Sequence, residues 1–335
     1  MSAPTFTVLD AHVHMWLPEY IPATLRMSWA KTSVLRKGMP LDAAADVYPR
    51  VSSDIVDPDG AHLLTALDRA GIGRAIIMGV DYGPEAWAAT EATATAFMER
   101  LDRVCRDSDG RLAFNAGIDP RRPEAVAHAR TYLRSDACRG LKFYPPAGIR
   151  ADEKHCFPLY EALIDADKTA VFHCGIGRGS LRWGNAWPIH LVGVQARYPE
   201  LKIVLAHSGY MAWFDECVAL AAAHPRTYLE LSLWEKEALA DGSPFRPMLE
   251  RAVRLAGGDR ILFGSDTMFG ESLRGVEQLA AWRDWFLDLP KATSNRIPAA
   301  TVEDMLRRNA EEVYFGNRSP RTPSTIGANL DGAAR

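Results

Sequence analysis

The sequence predicts an α/β fold, a closed parallel (β/α)8 barrel. Eight short apolar runs alternate with longer amphipathic ones along the chain. The 335 residues, 47% hydrophobic, suffice for a large core, and α/β barrels often reach this length as one unit. Ionisable residues also fall at or just past the ends of several runs: His12, His14, Lys142, His173, His207 and Asp266. A barrel gathers such strand ends at one mouth, whereas an open sheet strings them along a line.

The strands are expected at 6–11, 74–80, 111–118, 140–144, 170–174, 202–206, 227–231 and 260–264. Each is short, rich in Val, Ile, Leu or Phe, and bounded by Gly, Pro, Asp or Ser. Helices are expected between them, at 61–70, 85–105, 123–134, 158–165, 188–198, 245–256 and 275–288. Pro123 and Pro188 suit first helical turns, where a missing N–H costs nothing. Gly71 and Gly73 mark a helix stop before the second strand. The expected organisation is one barrel domain over 1–317, with 15–59 as a long insertion after strand one. That insertion holds Arg36 and Arg50, and a loop of this size in a compact domain is usually functional, as a lid or a dimer contact. The tail, 318–335, is rich in Ser, Pro, Gly and Ala and is expected to be disordered.

Composition narrows the function classes. The net charge is −3 and no dense basic stretch is present, which excludes a nucleic-acid surface and leaves a small molecule as the expected partner. No apolar run approaches the ~20 residues that span a bilayer. No basic segment followed by an apolar run opens the chain, so no signal peptide is expected. The five cysteines are scattered, odd in number and without CxxC spacing; they indicate a reducing compartment, the cytoplasm, rather than a disulfide framework.

The chemistry is expected at the strand ends. In Asp10-Ala-His12-Val-His14 the two histidines are spaced i, i+2, which places both imidazoles on one face of a strand, with Asp10 one step deeper to orient a histidine. A lone HxH is a weak signal. His173, His207 and Asp266, at three further strand ends, strengthen it, because buried ionisable groups are costly unless paired or bound to a metal. Three neutral imidazoles and a carboxylate suit one zinc ion per chain with room for water or substrate, and manganese accepts the same donors. Glu230, near the end of strand seven, is read as a partner for a ligand histidine or as a plain ion-pair residue. Trp183 and Asn185, after strand five, are expected at the mouth as substrate contacts, together with Lys142 and an arginine of the insertion, Arg36 or Arg50. Gly175-Ile-Gly-Arg-Gly-Ser180 has its third glycine one place early for a dinucleotide fingerprint.

The ordered set DxHxH, HCG, AHSG and GSD, with Gly140-Leu-Lys-Phe-Tyr-Pro-Pro146 and Arg308-Asn-Ala-Glu-Glu-Val-Tyr314, resembles the amidohydrolase superfamily over residues 6–316. The branch it resembles is amidohydrolase 2, which includes aminocarboxymuconate-semialdehyde decarboxylase. The resemblance implies metal ligation by His12, His14, His173 and Asp266, acid–base catalysis by His207, a mononuclear site in which Lys142 is not carboxylated, and a homodimer. Two activities share this set: hydrolysis of an amide, lactone or similar carbonyl through an activated water, with Asp266 or His207 as base, and non-oxidative decarboxylation of an aromatic or unsaturated acid. Hydrolysis is the leading expectation, decarboxylation the alternative, and metal binding without turnover a third reading.

Overall fold

The computed structural model describes residues 4–86, 91–176 and 181–316. Its nine strands are β1 (Leu9–His14), β2 (Arg74–Met78), β3 (Leu112–Gly117), β4 (Cys138–Phe143), β5 (Thr169–His173), β6 (Lys202–Ala206), β7 (Thr227–Glu230), β8 (Ile261–Leu262) and β9 (Thr267–Met268). All pairings are parallel, in the order β8-β7-β6-β5-β4-β3-β2-β1-β9. β8 and β9 are two pieces of one interrupted eighth strand. The first piece pairs with β7 and the second with β1, and between them Ala11 N donates to Phe263 O at 2.9 Å. This seam closes the barrel expected from the sequence.

Both faces of the strands are covered, and every residue of β1, β3, β5 and β6 is buried. The outer face packs on helices in one extended core. The barrel interior is a smaller cluster with Leu9, Ile76, Val171, Val204 and Leu262, sealed by Val313 and Tyr314 from the last helix, Asn309–Phe315. Asn309 Nδ2 fixes that helix to the carbonyls of Gly258 and Ile261 at 2.9 and 2.7 Å. With one end filled, the opposite end is left for ligands. Gly71 ends the helix Ala61–Ala70 in the left-handed conformation at φ 67°, a backbone state glycine enters without a Cβ penalty.

Two expectations are corrected. β1 begins and ends three residues later than expected, so His12 and His14 lie inside it. Its register with β2 slips between Asp10 and Val13. Such a bulge re-aims side chains: Leu9 and Ala11 join the interior cluster while His12 and His14 face the mouth. The 15–59 insertion is not a bare loop. It forms two helices, α1 (Ala23–Arg36) and α2 (Ala44–Ser53), which bury Ala30, Val34 and Ala44 against each other. The 318–335 tail lies outside the described residues.

Candidate metal centre

β1 presents His12 and His14, and the gap in the eighth strand presents Asp266. Their ligand atoms converge: His12 Nε2 and His14 Nε2 are 3.3 Å apart, and Asp266 Oδ1 lies 3.1 and 3.0 Å from them. Each ring is held from behind. His14 Nδ1 donates to Met78 O at 2.8 Å, and the ring stacks on Trp16. His12 Nδ1 donates to Glu230 Oε2 at 2.7 Å. A neutral imidazole has a single N–H. With both Nδ1 atoms donating, two Nε2 lone pairs and a carboxylate oxygen point at one small space. Lone pairs this crowded call for a cation among them, so the donor set fits a divalent metal.

His173 and His207 adjoin this group. Ser232 Oγ donates to Glu230 Oε2 at 2.8 Å and accepts from His207 Nδ1 at 2.7 Å. His207 Nε2 then accepts from His173 Nδ1 at 3.0 Å. The consequence is a lone pair on His173 Nε2, which is buried and has no hydrogen-bond partner. The tight three-atom cluster is His12, His14 and Asp266; His173 stands beside it with a free donor atom. A second cluster, His12, His207 and Glu230, is held together by the hydrogen bonds just described, from His12 Nδ1 to Glu230 and from His207 Nδ1 through Ser232 to the same carboxylate.

Glu230 is the hub that sequence reading left undecided. Fully buried at the end of β7, it accepts from His12 Nδ1, from Ser232 N at 2.5 Å and Ser232 Oγ, and from His207 N at 3.3 Å. It takes the role expected of Asp10, whose Oδ1 instead accepts from the backbone N–H groups of His12 and Ser265 at 3.0 and 3.1 Å. Gly264 exists for this hub: a Cβ there would collide with Glu230 Oε1. Ser232 was missed; its only signal is the i, i+2 spacing from Glu230.

Charge follows burial. Burial pushes Asp10 up to about 7 against the hydrogen bonds from Ser265 and His12. Burial holds His173 and His207 well below the usual histidine range, with the Lys142 ammonium adding to it for both, so both are neutral. For His12, burial and Lys142 pull downward, but Glu230 and Asp266 outweigh them and raise it. That rise favours a proton on His12 beside Asp266 as the pH falls, in competition with a cation. His207 and Asp266 both adopt positive φ, 66° and 58°. Strain at non-glycine residues concentrates at functional sites, and here it turns both side chains toward one centre.

The centre opens into a cavity of about 430 Å³. Trp16, Trp29, Tyr82 and Tyr144 are among its walls, and Lys142 lies at its base, 1% exposed and with Nζ unpartnered. Burial brings Lys142 down to about 8. Arg36 of α1 lines the cavity; Trp183 and Asn185 are not among the lining residues, and Trp183 packs at a tilt against Trp213 at the surface instead. Arg50 falls in α2, and its side chain is outside the described residues. All five cysteines are free and buried. No helix among the described residues is long and apolar enough to cross a membrane.

The family model described as amidohydrolase matches residues 9–316. Protein fluG of Emericella nidulans is 28% identical over 159 residues, 46% of this chain; the match spans 18% of that protein's length. Among solved structures, IDCase of Metarhizium anisopliae in its apo form is similar at 19% identity with a TM-score of 0.65, covering 94% of this chain and 98% of that one. The 5-carboxyvanillate decarboxylase of Novosphingobium aromaticivorans, complexed with manganese and 4-hydroxy-3-methoxy-5-nitrobenzoic acid, is similar at 16% identity with a TM-score of 0.61, covering 93% and 96%. At these identities the likeness establishes the fold.

Proposed function

The chain belongs to the amidohydrolase family, and from that premise we propose that it is a metal-dependent, non-oxidative decarboxylase of an aromatic or unsaturated carboxylic acid. The observation that carries this reading is the cavity: flat aromatic walls lead to a buried, unpaired ammonium group beside the candidate metal ligands. Such a site suits a planar acid and neutralises its carboxylate on arrival. The structural neighbour with a bound nitrobenzoic acid and manganese supports the same chemistry. Hydrolysis, the leading expectation from sequence, uses the same ligands and moves to second place.

His12, His14, His173 and Asp266 are the residues that would hold the ion, manganese or zinc, one per chain. The ion supplies Lewis acidity for the substrate oxygens. Lys142 and the aromatic walls orient the acid over the ligand set. A proton taken up from solvent is passed to the carbon that bears the carboxyl group by Asp266 or His207, which border both the ligand set and the cavity. The C–C bond then breaks, its electron pair restores the unsaturated system, and CO2 departs. Replacement of the carboxyl group by hydrogen needs no oxidant and no added water.

The test is a panel of hydroxylated and unsaturated carboxylic acids offered to metal-loaded protein in water enriched in ¹⁸O. We expect CO2 release with no solvent oxygen in the organic product. Solvent oxygen in the product without CO2 release selects hydrolysis and removes the proposal.

A further inference from the structure

Building on the decarboxylase reading, we infer that the substrate is a diacid whose second acidic group is held at the rim of the cavity by Arg36 and Lys37. The inference starts from α1, which lays one face along the cavity. Leu25, Trp29, Thr32, Ser33 and Arg36 all line it, followed by Lys37 at the helix end. Their spacing is that of a single helical stripe. The stripe changes character along its length, apolar at its start and cationic at its end. At 1.5 Å per residue the ends are separated by roughly 16 Å.

The cavity thus has two positive poles. Lys142 is buried at the floor, and Arg36 and Lys37 stand at the end of α1, with the aromatic side chains among the walls. Against these three cations the described lining contains one carboxylate, Asp266, which the histidines already engage. Neither Arg36 nor Lys37 pairs with a carboxylate among the described residues. An acid with one charged group can satisfy the floor and leaves the rim unmatched. A planar acid with a second carboxylate matches both poles, and the positive rim draws it in. Arg36, with its planar fork of donors, is the residue suited to a carboxylate; Lys37 adds charge.

Calorimetric titration of manganese-loaded protein reads this without turnover. The probes are phthalate, isophthalate and terephthalate, each beside the carbamoylbenzoate in which one carboxylate becomes a neutral amide of the same shape. At least one diacid should bind at least about tenfold more tightly than its amide counterpart. In Arg36→Ala/Lys37→Ala, which alters exposed side chains, that ratio should fall close to one. Equal binding of every diacid and its amide, or a ratio that survives in the double variant, overturns the inference. Carbon dioxide is assayed separately. A diacid preference without decarboxylation of any probe or panel acid sustains the inference and removes the decarboxylase reading. Decarboxylation of acids without a diacid preference does the reverse.

Discussion

Glu230→Gln is the substitution that most directly tests how the ligand set is prepared. The glutamate accepts four hydrogen bonds in a site with no water-facing surface. Glutamine keeps the shape but replaces one acceptor oxygen with an NH2 group. If the remaining oxygen stays on Ser232 N, the NH2 group takes the place of Oε2, where His12 Nδ1–H, Ser232 Oγ–H and His207 N–H all donate. His12 relieves this clash by moving its proton from Nδ1 to Nε2, and that proton covers the lone pair required for metal. Outer partners of ligand histidines are worth about 10–100-fold in metal affinity, or ~1.4–2.7 kcal/mol. Competition against a chelator of known affinity measures the change, and circular dichroism checks that the barrel is intact. A folded Glu230→Gln protein that binds metal as tightly as the parent refutes the proposed tautomer control.

His173→Ala should release the ion, while His207→Ala should keep most of it and lose most activity; metal content per chain and CO2 release separate the two. Gly264→Ala forces a methyl group into the Glu230 carboxylate and should cost about 2 kcal/mol or more of stability, read as a lowered denaturant midpoint. Metal affinity should weaken on acidification, because a raised His12 keeps its proton below its shifted pKa and gives it up above; proton release on metal binding, followed in weak buffer, checks this, and its absence contradicts the assignment of His12.

The strand ends were legible in the sequence because a metal site needs particular side chains where a parallel barrel opens. Histidines at 12, 14, 173 and 207 and an aspartate at 266 stand out among apolar runs. The limits of β1 were harder to read, because paired histidines inside a strand look like its end. Glu230 was visible but ambiguous: its meaning depends on contacts with residues over 200 positions away. Trp183 and Asn185 show the limit of loop reading, since which face a loop residue presents is set by tertiary packing rather than spacing. Arg36, named from sequence only as an alternative to Arg50, is placed on the cavity by α1.

The seam between first and last strands has one more implication. β8 and β9 contribute two residues each, so few backbone bonds fasten the first strand to the interrupted eighth. His14 and Asp266 meet there across 252 positions of sequence. An ion held by both would act as a buckle on a belt, tightening the circle at its weakest stitch. Stripping the ion should loosen this zone ahead of the rest of the girdle, with amide exchange quickening first in the chain either side of the clasp.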